Sequence, residues 1–281
     1  MSERDVIAKT TGLPPTVRSL TEDLGRLGIE PGMTLFVHSS LSALGWVVGG
    51  AQAVVLALEE ALGPDGTLVM PTHSYTLTNP RWWCNPAVPE PWFEVIEAEM
   101  PAFDPDLTPT TGMGAIPECF RRQPGTVRSR HPMISVCARG PRAAVVAAPE
   151  SITDTHGEGS PLARLYEVGA WVLLLGVGHT RNTSLHLAER RAQYEPKPTL
   201  RRKVLTVTDG RREWLEFDDI AGSCDDFDAI GAAFAERTGL VRAGRVGYAD
   251  ALLMPQRDLV DFAQAWMEQN RGGSEESGVT G

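Results

Sequence analysis

The run AWVLLLGVG at 170–178 contains no charged residue. It is far shorter than the roughly 20 residues that cross a bilayer, so it does not read as a membrane span. As a strand over 171–177 it has no polar face to turn to water, which places it inside a sheet covered on both sides. Sheets of that kind belong to α/β proteins. The chain before it supplies the alternation such a fold needs. Val17, Leu20, Leu24 and Leu27 recur at helical spacing and stop at Gly28, a helix with a glycine exit. A strand at 33–38 follows; Gly49-Gly50 then opens an amphipathic helix over 51–62 with Val54, Val55, Leu58, Ala61 and Leu62 on one face, and a second strand occupies 67–70. Strand, helix, strand at this spacing is a βαβ unit.

Residues 79–109 are rich in Pro, Trp and acids without a clear period, either a long functional loop or an inserted helix such as 92–100. Two β-patterned runs over 203–217 flank Asp209-Gly210, a two-residue hairpin signal, and the second run delivers Asp218 and Asp219 at its end. Helical periodicity returns at 225–237 (Phe227, Ile230, Phe234) and 256–267 (Leu259, Phe262, Trp266). The last residues, 271–281, read RGGSEESGVTG and are expected to be disordered. The expected architecture is one α/β domain over 1–270. It has a central mixed sheet flanked by helices, plus a C-terminal hairpin and helical sub-lobe.

A net charge of −10 argues against general binding to nucleic acid or anionic membranes. The polar start, MSERDVIAKT, lacks the apolar core of a secretory signal, so a cytoplasmic location is expected. Four cysteines, Cys84, Cys119, Cys137 and Cys224, show no C-x-x-C pair and read as reduced core residues. No His-Glu-x-x-His pair or Cys/His grouping has metal-ligand spacing, so no metal is expected. Gly-x-Ser-x-Gly, the usual setting of a hydrolase serine, is absent. The charges are also unevenly spread. Residues 119–149 hold six arginines (Arg121, Arg122, Arg128, Arg130, Arg139, Arg142) and no acid. Residues 86–106 and 213–228 hold acids only, among them Asp104, Asp218, Asp219 and Asp225. These runs are either solvated faces or one pole for an anion and another for a cation.

Three constellations carry chemistry. His38, Ser39 and Ser40 end a strand shortly before Gly49-Gly50 opens a helix, where an open α/β sheet binds ligands and a helix N-terminus offers N–H groups to an anion; the pattern reads equally as a plain strand-to-helix turn. Arg128, Ser129, Arg130 and His131 lie in the acid-free segment, and clustered guanidiniums suit the phosphates of CoA; exposed surface arginines give the same pattern. His186 falls in the first turn of a helix after the buried strand, where the dipole favours a neutral imidazole and hence a general base. Glu189 or an acid from the hairpin end can orient its ring, and a structural histidine is the competing reading.

Four ordered stretches now bear on identity: HSSLSALGWVVGGAQAVVLALEEALGPDGTLVMPTHS (38–74), TPTTGMGAIPECFRRQPGTVRSRHP (108–132), SPLARLYEVGAWVLLLGVGHTRNTSLHLAE (160–189) and PQRDLVDFAQAW (255–266). Together they resemble the aminoglycoside 3-N-acetyltransferase family, known for antibiotic resistance, over about residues 16–268. The resemblance implies a fold distinct from the common GNAT-type acetyltransferase, whose Arg/Gln-x-x-Gly-x-Gly/Ala loop is missing. It implies acetyl transfer from acetyl-CoA to the 3-amino group of the 2-deoxystreptamine ring of an aminoglycoside, a small polycationic substrate, with no metal.

Carried over residue by residue, the resemblance implies a catalytic His186 with Asp219 as the family acid. It implies CoA contacts at His38, Ser39, Ser40, Trp46, Val47, Val48, Gly49, Gly50, Thr72, Ser74, Met113, Gly114, Arg128, Ser129, Arg130 and His131. His156 matches a substrate-site histidine of some members, and a further acid of some members is Ala221 here. Asp104, Glu189, Asp218 and Asp225 complete the expected substrate side. The expected chemistry is direct attack in a ternary complex, with neutral donors near Ser39, Ser40 or Ser74 at the oxyanion. The rivals are an acyl-CoA-dependent transferase acting on a different amine and a non-catalytic CoA- or antibiotic-binding module.

Overall fold

The computed structural model describes residues 2–272. In chain order the elements are α1 (Glu3–Lys9), α2 (Val17–Leu27), β1 (Thr34–Ser39), α3 (Gly50–Leu62), β2 (Thr67–Pro71), α4 (Phe93–Glu99), α5 (Ala115–Arg121), β3 (Val127–Arg128), β4 (Val136–Arg139) and α6 (Ala143–Val146). They continue with α7 (Pro161–Glu167), β5 (Trp171–Leu175), α8 (Ser184–Arg191), β6 (Thr199–Thr208), β7 (Arg211–Ile220), α9 (Phe227–Thr238), β8 (Arg242–Val246), β9 (Ala249–Pro255) and α10 (Gln256–Asn270). Seven strands form one mixed sheet in the order β3-β4-β2-β1-β5-β9-β8. The inner strands β2, β1 and β5 run parallel, and β4 and β9 join them antiparallel.

The two-residue period of a strand decides which face each side chain covers. Leu35, Val37, Leu68, Met70, Leu173 and Leu175 enter one core with Leu20 and Leu24 of α2 and Val54 and Leu58 of α3. Phe36, Val69, Val172 and Leu174 enter the other, with Leu162 of α7, Leu185 of α8, Phe227 and Ile230 of α9, and Leu259 of α10. Both faces of the central strands are therefore dry, which is why 171–175 needs no polar alternation. Each such buried aliphatic side chain contributes about 1.5–3 kcal/mol.

Local signals hold where the backbone itself enforces them. Thr16 caps α2, and Gly28 ends it at φ 101°. Asp209 (φ 50°) and Gly210 (φ 76°) both take the left-handed conformation that a type I′ hairpin turn demands. The β6–β7 ladder runs further than the 203–217 pattern, from Thr199↔Ile220 to Thr208↔Arg211, and stands apart from the main sheet as a two-stranded sheet. Val204 and Phe217 close a small core with Met133 and Ile134. The helices after the hairpin return to the second main core instead of forming a sub-lobe with it. Strands β8 and β9 carried no clear signal, because β8 is an exposed edge strand without apolar alternation.

The 79–109 segment contains the inserted helix α4 and packs on the hairpin. Lys203 Nζ reaches Glu97 Oε2 at 2.5 Å, Trp214 Nε1 donates to Glu97 O at 2.8 Å, and Arg212 Nε donates to Met100 O at 2.7 Å. The four cysteines are free, but only Cys137 is a core residue; Cys84 and Cys224 are exposed. Arg271, expected in the disordered tail, is held by Asp226 and Glu189, and the remainder of that tail, 273–281, lies outside the described residues. Among the described residues no helix is long and apolar enough to cross a membrane.

Candidate active site

The carboxyl ends of the parallel strands β1, β2 and β5 open onto one cavity of about 950 Å³, the position where open α/β sheets bind ligands. His38, Ser39 and Ser40 reach it from β1, His73 and Tyr75 from beyond β2, and Thr180 to Thr183 from beyond β5. The far wall is made by Trp46, Val47, Gly49 and Gly50, with Met113 and Gly114 opposite. Gly49 and Gly50 have φ 86° and 57°, a bend that brings the start of α3 to the cavity with no side chain capping its N–H groups. Such a terminus attracts anions. Among the described residues His38 Nε2 and Ser39 Oγ are buried without a partner, polar atoms in the wall that a ligand can use.

A second cavity of about 170 Å³ adjoins the first, and Tyr75, His156 and His186 line both. His186 is the third residue of α8. Its Nδ1 lies 2.8 Å from Glu189 Oε2, while Glu189 Oε1 accepts from Ser223 N–H at 3.0 Å and Arg271 Nη1 at 2.5 Å. Burial raises the Glu189 pKa, but the hydrogen bonds from His186, Ser223 and Arg271 outweigh it and the net shift is downward. Glu189 is therefore a carboxylate at neutral pH. A carboxylate only accepts, so His186 Nδ1 carries the hydrogen in this contact and Nε2 lies outside it. The ring stacks on His156 (centroids 4.8 Å apart) and meets the edge of Phe227 at 5.0 Å. Gly222 lies over the pair: a Cβ there would stand 2.7 Å from Glu189 Oε2. Burial holds His156 well below the ordinary imidazole range.

Asp219 does not touch His186. Its carboxylate is buried between Arg190 and Arg202 and accepts from Thr155 Oγ1 at 2.9 Å, so the carboxylate against Nδ1 is that of Glu189. The expected phosphate site at 128–131 is likewise corrected. Arg128 is buried, and its guanidinium donates to Ser135 Oγ, to Pro105 O and Thr108 O, and to Thr72 O and Ser74 Oγ. No N–H is left for a ligand. Ser129 Oγ accepts from Val136 N–H, and His131 Nδ1 accepts from Met133 and Ile134 N–H; both are buried structural groups. Arg130 is exposed, and Thr72, Ser74 and Val48 line neither cavity.

The charge poles dissolve as well, since many of these charges are taken up within the protein, some by neighbours in sequence and some by residues far away in it. Arg121 and Arg122 pair with Glu118, Arg139 with Glu59, Glu97 with Lys203, and Asp218 with Arg201. Asp104 Oδ1 accepts from Asp106 and Leu107 N–H within its own turn, and Asp225 is exposed; neither lines a cavity. Arg128→Ala is expected to act on folding, not on acetyl-CoA affinity. It should cost about 3–5 kcal/mol in urea unfolding, because several buried acceptors lose their donor together. Arg128→Lys should restore little of it, having three donors on one atom.

Sequence reasoning missed His73 and Tyr75, which the end of a parallel strand marks. It also missed Arg181, Arg190, Arg202, Gly222 and Arg271, which only the tertiary fold brings to the cavities or to Glu189.

The family model for aminoglycoside 3-N-acetyltransferase matches residues 36–268. The SPbeta prophage-derived aminoglycoside N(3')-acetyltransferase-like protein YokD of Bacillus subtilis is 41% identical over 265 residues, 94% of this chain and 96% of its own. Its crystal structure superposes with a TM-score of 0.91 over 97% of this chain and 99% of that one, at 40% identity. Aminoglycoside N(3)-acetyltransferase VII of Streptomyces paromomycinus is 37% identical over 97% of this chain and 98% of its own. The solved binary complex of AAC-IIIb with CoASH, 31% identical, covers 94% of this chain and all of its own at a TM-score of 0.80. The mixed sheet, the cavity at the ends of its parallel strands and the full-length similarity lead to one assignment: this chain belongs to the aminoglycoside 3-N-acetyltransferase family.

Proposed function

We propose that the protein is a cytoplasmic enzyme that moves the acetyl group of acetyl-CoA to the 3-amino group of an aminoglycoside by direct attack in a ternary complex. The observation that carries this reading is the Glu189-held His186 at the junction of two cavities. The larger cavity has the uncapped start of α3 for the CoA phosphates, and a family member has been solved with CoASH. His186 Nε2 takes a proton from the acceptor amine as nitrogen attacks the thioester carbonyl, and Glu189 stabilises the imidazolium that forms. Unpartnered polar groups at His38 and Ser39 supply candidate donors for the oxyanion. Ser74 is not among them, since it donates to Pro109 O and accepts from Arg128. The attack needs no acetyl-enzyme.

Thiol release from acetyl-CoA with a panel of 2-deoxystreptamine aminoglycosides tests the reading, with mass spectrometry and NMR of the product. The expected result is acceptor-dependent release, intersecting initial-rate lines and one acetyl group on the 3-amine. Parallel lines with an acetylated protein would replace the ternary mechanism. Release with no acceptor preference for aminoglycosides would move the acceptor assignment elsewhere.

A further inference from the structure

The smaller cavity holds two guanidiniums next to the base. Beyond Tyr75, His156 and His186 its charged lining is Glu189, Arg190 and Arg202. The two guanidiniums share the single carboxylate of Asp219. The Glu189 oxygens are taken by His186, Ser223 and Arg271, and Arg271 is shared with Asp226, so Glu189 uses none of the N–H groups of Arg190 or Arg202. Arg190 gives Nη2 to Thr155 and Asp219, and Arg202 gives Nε to Asp219. Among the described residues no oxygen accepts from Nε or Nη1 of Arg190 or from Nη2 of Arg202. Both side chains are mostly buried, at 14% and 23% exposed, so solvent screens them weakly. Adjacent guanidiniums with spare N–H groups match the geometry of a carboxylate or phosphate oxyanion. At 170 Å³ this cavity is much smaller than the 950 Å³ cavity beside it, a space for a small amine and not for linked sugar rings.

We propose that this pocket gives the enzyme a second class of acceptor: small primary amines bearing a carboxylate or phosphate group, the anion resting on Arg190 and Arg202 and the amine facing His186. The proposal rests on the acetyl-transfer reading for its chemistry. The amine nitrogen forms the new N–C bond to the thioester carbonyl as the C–S bond breaks. Its proton passes to His186 Nε2 and on to the departing CoA thiolate, giving the N-acetylated acid and CoASH. An aminoglycoside presents its amine to the same histidine with its cationic bulk outside the smaller cavity.

The test pairs each acid with a counterpart that lacks the anion, β-alanine with β-alaninamide and O-phosphoethanolamine with ethanolamine, in the thiol-release assay beside an aminoglycoside. The wild-type protein is expected to favour the acid by about tenfold or more in kcat/KM, the scale of a charge-assisted contact. Arg202→Gln and Arg190→Gln should collapse that ratio towards one, and Arg202→Lys should restore part of it. Thermal unfolding and acetyl-CoA calorimetry check that the variants are folded. Calorimetric binding of β-alanine to the CoA complex reads the subsite without turnover. Equal use of acid and amide, or a ratio that survives both glutamine variants, overturns the proposal even if aminoglycosides are acetylated. If no amine is acetylated yet β-alanine binds wild type and not Arg202→Gln, the subsite stands and the acetyl-transfer reading falls.

Discussion

Replacing His186 with alanine is expected to lower kcat by about 10²–10⁴-fold while acetyl-CoA still binds in calorimetry. The size follows from what the ring does: among the described residues it is the one group lining both cavities that combines a carboxylate-held Nδ1 with an Nε2 that has no hydrogen-bond partner. Glu189→Gln keeps the side-chain volume but removes the charge that stabilises the imidazolium, so kcat should fall by tenfold or more on the precedent of carboxylate-oriented histidines, about 10⁴-fold in the best-studied triad. Gly222→Val should act in the same direction, since even a Cβ at that position meets the pair. Asp219→Asn separates the two acids. It leaves Arg190 and Arg202 facing each other without their shared carboxylate, and its main effect should be on unfolding. If Asp219→Asn lowers kcat as much as Glu189→Gln at unchanged stability, the orienting role returns to Asp219. If His186→Ala keeps near wild-type kcat, the general base lies elsewhere.

Acidification from pH 7 to pH 5 is expected to cost the fold several kcal/mol, read as a steady fall of the urea midpoint. Burial lowers His38 and His73 to about 3 and His131 to about 4, and it holds His156 well below the ordinary value. His131 shows why: Nδ1 accepts two backbone N–H groups, and Nε2 lies 3.1 Å from Ile152 O, a pattern only the neutral ring satisfies. Below pH 6.5 the unfolded chain takes up these protons and the native one does not. The native state therefore loses stability as pH falls from 6.5 towards the folded values, by about 1.4 kcal/mol per unit for each group. Glu189 has the opposite timing. Its lowered pKa contributes stability that is present above the ordinary carboxylate value and lost only below it, outside this window. A midpoint that stays level between pH 7 and 5 would mean that these rings take up protons in the folded protein over the same range as in the unfolded chain. His131→Gln should flatten the slope at a cost in stability at pH 7.

What the sequence determined by itself is whatever depends on neighbours along the chain. The dry strand at 171–175, the capped helix α2, the Asp209-Gly210 turn and the placement of His186 in the first turn of α8 follow from periodicity and backbone conformation, and Glu189 three residues on shares that face. The glycine-led approach of α3 to the ends of the parallel strands was legible for the same reason. The partners of the charges were not. Arg128 looked like a phosphate ligand because composition shows a charge and not its environment. Only the folded chain brings Thr72, Ser74, Thr108 and Ser135 around it and uses every N–H. Asp219, next to the hairpin end, looked like the acid for His186. The approach of β7 to α8 gives it to Arg190 and the β6–β7 ladder gives it to Arg202, and the turn after α10 brings Arg271 to Glu189. Hydrogen bonds and ion pairs act over about 3 Å, so which charge faces a ligand and which is consumed by the protein is settled by contacts between residues far apart in sequence, and those exist only once the sheet and its helices have closed.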